Sequence, residues 1–451
     1  MKKLQLAVAI GVVAAAIITP TAQGLASTLS NPTGPVDPNA TLPTTNVFQM
    51  VVDSEHHQLF ISTGLATDSL LVTNDSGVVT RTIALAGAEG MTLEGGKLFV
   101  AESGASDIAV INTRNLKVTH RYSTGAGTCP ESVALVASRY LTVGLNCVSG
   151  SASVAVLDLT TPTPIPSVIT ANSFYYPLIR AVPNTTTAIV AETGLLPSGV
   201  SIVDVAGTPA ITKTVPALAN GCENLQDLAV SPDGQSFVPA CGWPYEHDAF
   251  SIADLTQTDS YPTGTYPDAA AFSPNGLKFA GGTGFSGANV LYVLSTTAAN
   301  HVLGLAADLG NPWDVTPQGV GFSSNGQTVF AVTKAWFGTG TWTYHLHAIS
   351  VAPTPVVVDV SAPATSAVGA PLQVSGTVTF ADGQPHPVQL EVTRRLKGVT
   401  TTLPPVTTSG AGNVFSFTDT PAARGKATYT VEFVGDVFNK PGSDTARVNV
   451  R

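Results

Sequence analysis

Short apolar runs alternate with polar turns along almost the whole chain. The clearest stretches read LAVSPDGQSFV at 228–238, AAFSPNGLKFA at 270–280 and VGFSSNGQTVF at 320–330. Each is an apolar run, a Ser-x-Asx-Gly turn and a second apolar run. Short alternating runs bounded by Gly, Pro, Asn and Asp predict antiparallel β-strands. Beyond the N-terminal leader no segment sustains a 3.6-residue apolar period, so the pattern predicts no helices.

The pattern repeats. A unit of about 40 residues recurs seven times, starting near Val47, Glu89, Pro130, Tyr176, Leu225, Pro267 and Pro312. The second unit shows the full cycle: Met91-Thr92-Leu93, a Glu94-Gly95-Gly96 turn, then runs at 97–101, 108–112 and 118–122. A four-stranded unit of this size cannot bury both faces alone, whereas seven around an axis can. The expected fold is therefore all-β, with a seven-bladed β-propeller over residues 40–353. Runs such as Ile108-Ala109-Val110-Ile111 fit strands covered on both faces. The seventh unit offers only three strands, at 318–322, 327–333 and 341–351. Residues 40–46 are expected to add the missing outer strand and close the ring, leaving no open edge between first and last blades.

The unit ASDIAVINTRNLKVTHRYSTGAGTCP at 105–130 resembles the YVTN-type repeat of exported bacterial propellers. Matching pieces are Val154-Ala155-Val156-Leu157-Asp158, Val200-Ser201-Ile202-Val203-Asp204 and Gly264-Thr265-Tyr266-Pro267. The resemblance covers roughly residues 40–353 and implies the fold. It says little of function, because the fold hosts binders, lyases, lactonases and quinoproteins.

After the Pro353-Thr354-Pro355 linker the repeat stops. Short alternating runs at 356–360, 371–380, 388–394, 414–418, 428–434 and 445–450 predict a β-sandwich over residues 354–451. The pieces PLQVSGTVTFADG, FSFTDTP and ATYTVEFVGD resemble bacterial Ig-like repeats of exported actinobacterial proteins. A spacer or stalk is the expected role.

The chain opens with a signal-peptide pattern over residues 1–26: Lys2 and Lys3, an apolar stretch from Leu4 to Ile18, and small residues Gly24 and Ala26 before the expected cleavage. Residues 27–39 form a linker. An exported, extracellular or surface-associated protein is expected, without an integral membrane span once the leader is removed. Loss of Lys2 and Lys3 shifts the formal charge from −10 to −12. An acidic chain with few cations is a poor polyanion binder, so nucleic acid is not an expected partner.

Four cysteines in an oxidising compartment suggest two disulfides, and four cysteines allow three connectivities. Cys129 and Cys147 lie symmetrically about the turn at 137–139, and Cys222 and Cys241 almost symmetrically about Pro232-Asp233-Gly234. Each pair flanks one hairpin, which predicts 129–147 and 222–241.

Candidate chemistry collects where the chain enters first strands and leaves second strands. Propeller ligands commonly sit on that face. Trp243, Tyr245, Glu246 and His247 follow a second strand, as do Trp336 and Phe337. Tyr266, Glu131, Asp268, Trp313 and Asp314 lie at or before first strands, as do Tyr175 and Tyr176. Rings beside carboxylates suit glycan or peptide ligands. Glu102 and Glu192, in matching Ala-Glu-Ser-Gly and Ala-Glu-Thr-Gly pieces, could join Glu89, Glu131 and Asp268 in an acidic mouth for a divalent cation. More simply, they are loop acids with local partners. His345 and His347 share one side of a strand, but two ligands are too few for a metal site. His56-His57 falls in a turn on the opposite face.

No G-x-S-x-G elbow, P-loop, dinucleotide fingerprint or His-Glu-x-x-His is present. The leading expectation is a secreted, non-enzymatic binding or surface-interaction protein without a cofactor. It would meet a glycan, cell-wall component, peptide or protein through Trp243, Tyr266, Trp313, Trp336, Glu131, Asp268 and Asp314. The alternatives are a metal-assisted enzyme of lyase or lactonase type and a structural wall or matrix protein.

Overall fold

The computed structural model describes residues 39–451, except 148–150, 220, 285–288, 298–300, 311–313, 337–339 and 384. The expected signal peptide, the linker through residue 38, Trp313 and Phe337 lie outside the described residues. Among the described residues all regular structure is β, and no helix is long and apolar enough to cross a membrane.

Among the described residues, seven antiparallel sheets have four strands each. Their first strands are Gln49–Asp53, Ala88–Glu94, Pro130–Val136, Pro177–Ala181, Glu223–Val230, Pro267–Phe272 and Asp314–Phe322. Six sheets run in simple chain order from first to fourth strand. The seventh takes Asp314–Phe322, Thr328–Trp336 and Trp342–Ser350, and its outer strand is Ala40–Leu42 from the other end of the chain. The register is Ala40 to Leu346, Thr41 to His345 and Leu42 to Tyr344. Pairing ends at Leu42. Asn46 instead donates its Nδ2 to the Thr63 carbonyl of sheet one at 3.0 Å. Each first strand neighbours the first strand of the next sheet, and the seventh neighbours the first, so the circuit closes.

Strand parity explains the packing. In Gln58–Ser62 every residue is buried. Leu59 and Ile61 pack toward sheet seven against Phe330, Val332 and Leu346. Phe60, pointing the other way, packs toward sheet two with Met91, Leu98 and Val100. Alternate side chains thus meet alternate neighbours, which is why these strands are apolar throughout.

The Ser-x-Asx-Gly turns share one hydrogen-bond pattern. In Ser273-Pro274-Asn275-Gly276, Ser273 Oγ donates to Asn275 Oδ1 and accepts from the Lys278 amide. Asn275 Oδ1 also accepts from the Leu277 amide at 3.1 Å. Gly276 closes the turn at φ 71°, a conformation that penalises a Cβ. The turns at 231–234 and 323–326 repeat these bonds. Both expected disulfides are present, Cys129–Cys147 with Cα atoms 4.9 Å apart and Cys222–Cys241 at 5.4 Å.

Residues 357–450 form a three-stranded and a five-stranded sheet around one core. Val358, Val374 and Phe415 from the first sheet meet Leu390, Tyr429, Val431 and Val448 from the second. The strand Val399–Thr407 was not expected from the sequence; it lies at the edge of the five-stranded sheet. The Pro353-Thr354-Pro355 segment is not a free tether. The Thr354 amide donates to the Phe438 carbonyl at 2.9 Å, and the Lys440 amide donates to the Thr354 carbonyl at 2.8 Å.

Candidate functional site

The residue before the first strand carries a recurring backbone feature. Gly87, Cys129, Tyr176 and Tyr266 hold φ of 65°, 44°, 43° and 56° at that point in sheets two, three, four and six. Glycine tolerates this region freely, whereas an L-residue there costs about 1–2 kcal/mol. A tyrosine kept in a strained conformation at the rim is an outlier of the kind that clusters at ligand sites. The Tyr266 carbonyl accepts from the Gly284 amide at 2.8 Å, which fixes the turn, and the side chain is 40% exposed.

Around Tyr266 the end of sheets five and six carries a ring cluster. Trp243 ends a second strand, and its ring lies 4.8 Å from Tyr245 in an edge-on contact. Tyr245 lies 5.0 Å from Tyr266. A second pair sits at the same end of sheet seven, where Trp336 and Trp342 close a long hairpin with centroids 5.4 Å apart. Lys334 Nζ lies 5.7 Å from the Trp342 ring centroid. Trp243, Tyr245, Tyr266, Trp336 and Trp342 are all exposed.

Charge lies between the two ring groups. Asp268 follows Tyr266 by two residues, and Asp314 pairs in register with Lys334. A Cβ on Gly284 would lie 2.6 Å from the Asp268 carboxylate and 3.8 Å from Asp314 Cβ, so both acids border this loop. Burial pushes the Asp268 carboxyl up to about 7, against the pull of Lys334 and with the push of Asp314. A carboxyl so placed both donates and accepts near neutral pH.

Other expected site residues separate into two groups. Glu131 sits at the same end, two sheets away, where its carboxylate accepts from Asn146 Nδ2 at 2.6 Å. Beside it, Glu89 accepts from Ser103 at 2.8 Å. Burial raises both carboxyls, Glu89 to about 7. They form a second acidic patch apart from the rings. Glu102 and Glu192 have local structural partners. Glu102 is buried, bound to Arg121 Nε at 2.8 Å and to the Ala86 amide. Glu192 accepts from the Tyr175 amide at 3.1 Å. Among the described residues no group of three or more His, Cys, Asp or Glu is placed to hold a metal ion.

His247 is not a rim residue. It begins a third strand, fully buried, with Nε2 donating to the Ala269 carbonyl at 3.0 Å and Nδ1 accepting from Thr263 at 2.6 Å. Burial pushes its pKa down to about 3. Adjacency to Trp243 and Tyr245 in sequence suggested exposure, but strand parity turns the ring inward. His347 is likewise buried, 6.4 Å from His345 and bound to Thr333. His57 is exposed on the opposite face, while His56 is half-buried against Asp53. Trp342 and Lys334 join the site without having been singled out in the sequence. The signal was their position on the two arms of one hairpin, near its tip.

Repeated four-stranded sheets whose first strands run in a closed circuit define a β-propeller. One solved structure agrees on that class, and two more show a weaker likeness. The β-propeller domain of Cps50 (Swd1) from Myceliophteria thermophila is similar at 11% identity and TM-score 0.50, over 69% of this chain and 99% of that one. Hydrazine synthase of Kuenenia stuttgartiensis is similar at 18% identity and TM-score 0.45, over 56% and 77%. Hsv2 of Kluyveromyces lactis is similar at 12% identity and TM-score 0.42, over 67% and 97%. At these identities the likeness concerns the fold alone. No family model and no curated protein matches the chain.

Proposed function

We propose that this chain is a secreted binding or surface-interaction protein without catalytic activity. It presents a seven-bladed propeller of YVTN type and an Ig-like module. The ligand is a glycan or peptide, held on the aromatic end of sheets five to seven. One observation carries the reading: five exposed rings gather at that end around Asp268, Asp314 and Lys334. Trp313, adjacent to Asp314 in the chain, belongs to the same proposed contact set. Exposed rings in mutual contact offer large, rigid, amphipathic area, and the carboxyls and ammonium between them supply direction. Two disulfides suit an oxidising compartment.

The test is binding of the full mature chain to glycan and peptide arrays, with Trp336→Ala and Tyr266→Ala compared at equal concentration. Loss of about tenfold or more in affinity for a common ligand is expected, as for an aromatic anchor. Unchanged affinity in both variants removes the site assignment.

A further inference from the structure

A cleft of about 430 Å³ opens between sheets five and six at the end opposite the rings. Its walls include the Ser231–Asp233 turn of sheet five, the Asn275–Leu277 turn of sheet six and the outer strand of sheet five. Tyr261 lines it. That residue is only 4% exposed, its ring stacked 4.4 Å from Phe279 and tilted 4.4 Å from His301. Among the described residues its hydroxyl has no hydrogen-bond partner, and the hydroxyl oxygen is open to the cleft. Burial, followed by the Asp259 charge, pushes its pKa upward, so the hydroxyl stays protonated.

Among the described residues, three exposed polar side chains at the cleft are also incompletely engaged. Asp259 Oδ1 takes His301 Nε2 at 2.8 Å and the Ser260 amide, leaving Oδ2 without a protein partner. Asn275 Oδ1 holds its turn, while Nδ2 has no acceptor. Thr297 lines the cleft with no bond to its hydroxyl. His301 Nδ1 faces the Ser295 carbonyl at 2.8 Å.

The cleft carries two carboxylates in its walls, Asp233 in the sheet-five turn and Asp259 beside His301. It offers an amide donor, two hydroxyls and a carboxylate oxygen. Ligand hydroxyls answer all of these at once, since each both donates and accepts. We propose that this cleft is a second binding site, distinct from the aromatic end, for a neutral hydroxyl-rich ligand of monosaccharide size, held by Tyr261, Asn275 and Asp259.

Saturation-transfer NMR on the full mature chain tests this with glucose, galactose, mannose, arabinose and N-acetylglucosamine as probes. At least one sugar should show transfer. Tyr261→Phe and Asn275→Asp should each weaken that sugar about fivefold, the loss expected for one hydrogen bond. Both variants keep the fold: Phe preserves the ring stack, and Asp233 already holds the equivalent turn position in sheet five. Trp336→Ala and Tyr266→Ala should leave the Tyr261-dependent part of the signal unchanged. No transfer from any probe, or equal transfer in both cleft variants, overturns the proposal. Loss of the signal in Trp336→Ala also overturns it, because the sugar then sits at the aromatic end and only the earlier reading stands.

Discussion

Lys278 Nζ lies 5.3 Å from the ring centroid of Phe438 and donates to the Val351 and Gly326 carbonyls at 2.6 and 3.1 Å. The ring comes from the sandwich and enters the core between sheets six and seven, beside Leu305, Ala307, Ile349 and Val351. Gly304 makes room, since a Cβ there would stand 2.2 Å from the ring. Asp436 shapes the loop that carries Phe438 by accepting from the Phe438 and Asn439 amides. Burial lowers the Lys278 pKa, and carbonyls and a ring face the ammonium in place of a carboxylate. The contact lies at the turn-bearing end, away from the rings.

Phe438→Ala should therefore destabilise the protein by about 3 kcal/mol, as for other buried Phe truncations. It should also split a single calorimetric transition into two, one for each module. Gly304→Leu should do the same by filling the socket. A single transition in both variants would show that the modules are coupled elsewhere.

The two disulfides differ in access. Cys222 and Cys241 are buried, whereas Cys147 is exposed. Mild reductant should open Cys129–Cys147 first, read by alkylation and peptide mass. Each bridge closes a short loop, with separations of 18 and 19 residues. Replacing either pair by Ser should lower unfolding free energy by about 3 kcal/mol, read by urea denaturation.

The all-β repeat, the hairpin disulfides and the Ser-x-Asx-Gly turns were legible because each depends on residues close in sequence. What escaped depends on distant chain. Lys278 follows a polar turn and reads as a solvated lysine; it is buried only because Val351 and Phe438 arrive from remote segments. Val399–Thr407 contains Pro404-Pro405, which argues against a strand. Its place at a sheet edge tolerates the missing amides. Trp342 and Lys334 were overlooked because their nearness depends on how far the last hairpin extends before turning.

Asp268 gives stability a pH dependence of known sign. An unperturbed Asp titrates at about 3.9, while burial raises this one to about 7 in the folded state. Between those values the folded chain holds a proton that the unfolded chain has released, so stability falls as pH rises. Glu89 adds to the same fall. Asp268→Asn should lose its share of the slope and gain melting temperature over the parent at pH 8 but not at pH 4. Equal pH profiles for the two proteins would show that Asp268 is not desolvated as described.

Arg180 tests the same physics where the sheets meet at the centre. Its Nη2 donates to Asp227 Oδ1 on sheet five and to Gln318 Oε1 on sheet seven, both at 2.9 Å. Asp227 Oδ2 accepts from the Ala270 amide of sheet six at 3.0 Å. Burial raises the Asp227 carboxyl, and the Arg180 charge is the largest influence opposing it. Arg180→Met leaves a buried carboxylate uncompensated and should cost about 3 kcal/mol at neutral pH. The sign with pH follows. Without Arg180 the folded carboxyl titrates still higher, so the deficit should shrink as pH falls and Asp227 takes up its proton, and grow toward pH 8. Asp227→Asn in the Arg180→Met background should recover part of the loss at pH 8. Urea denaturation as a function of pH reads both effects. A deficit independent of pH would mean that Arg180 stabilises the ring through packing and its bonds to Gln318 and the Leu228 carbonyl, with no contribution from its charge.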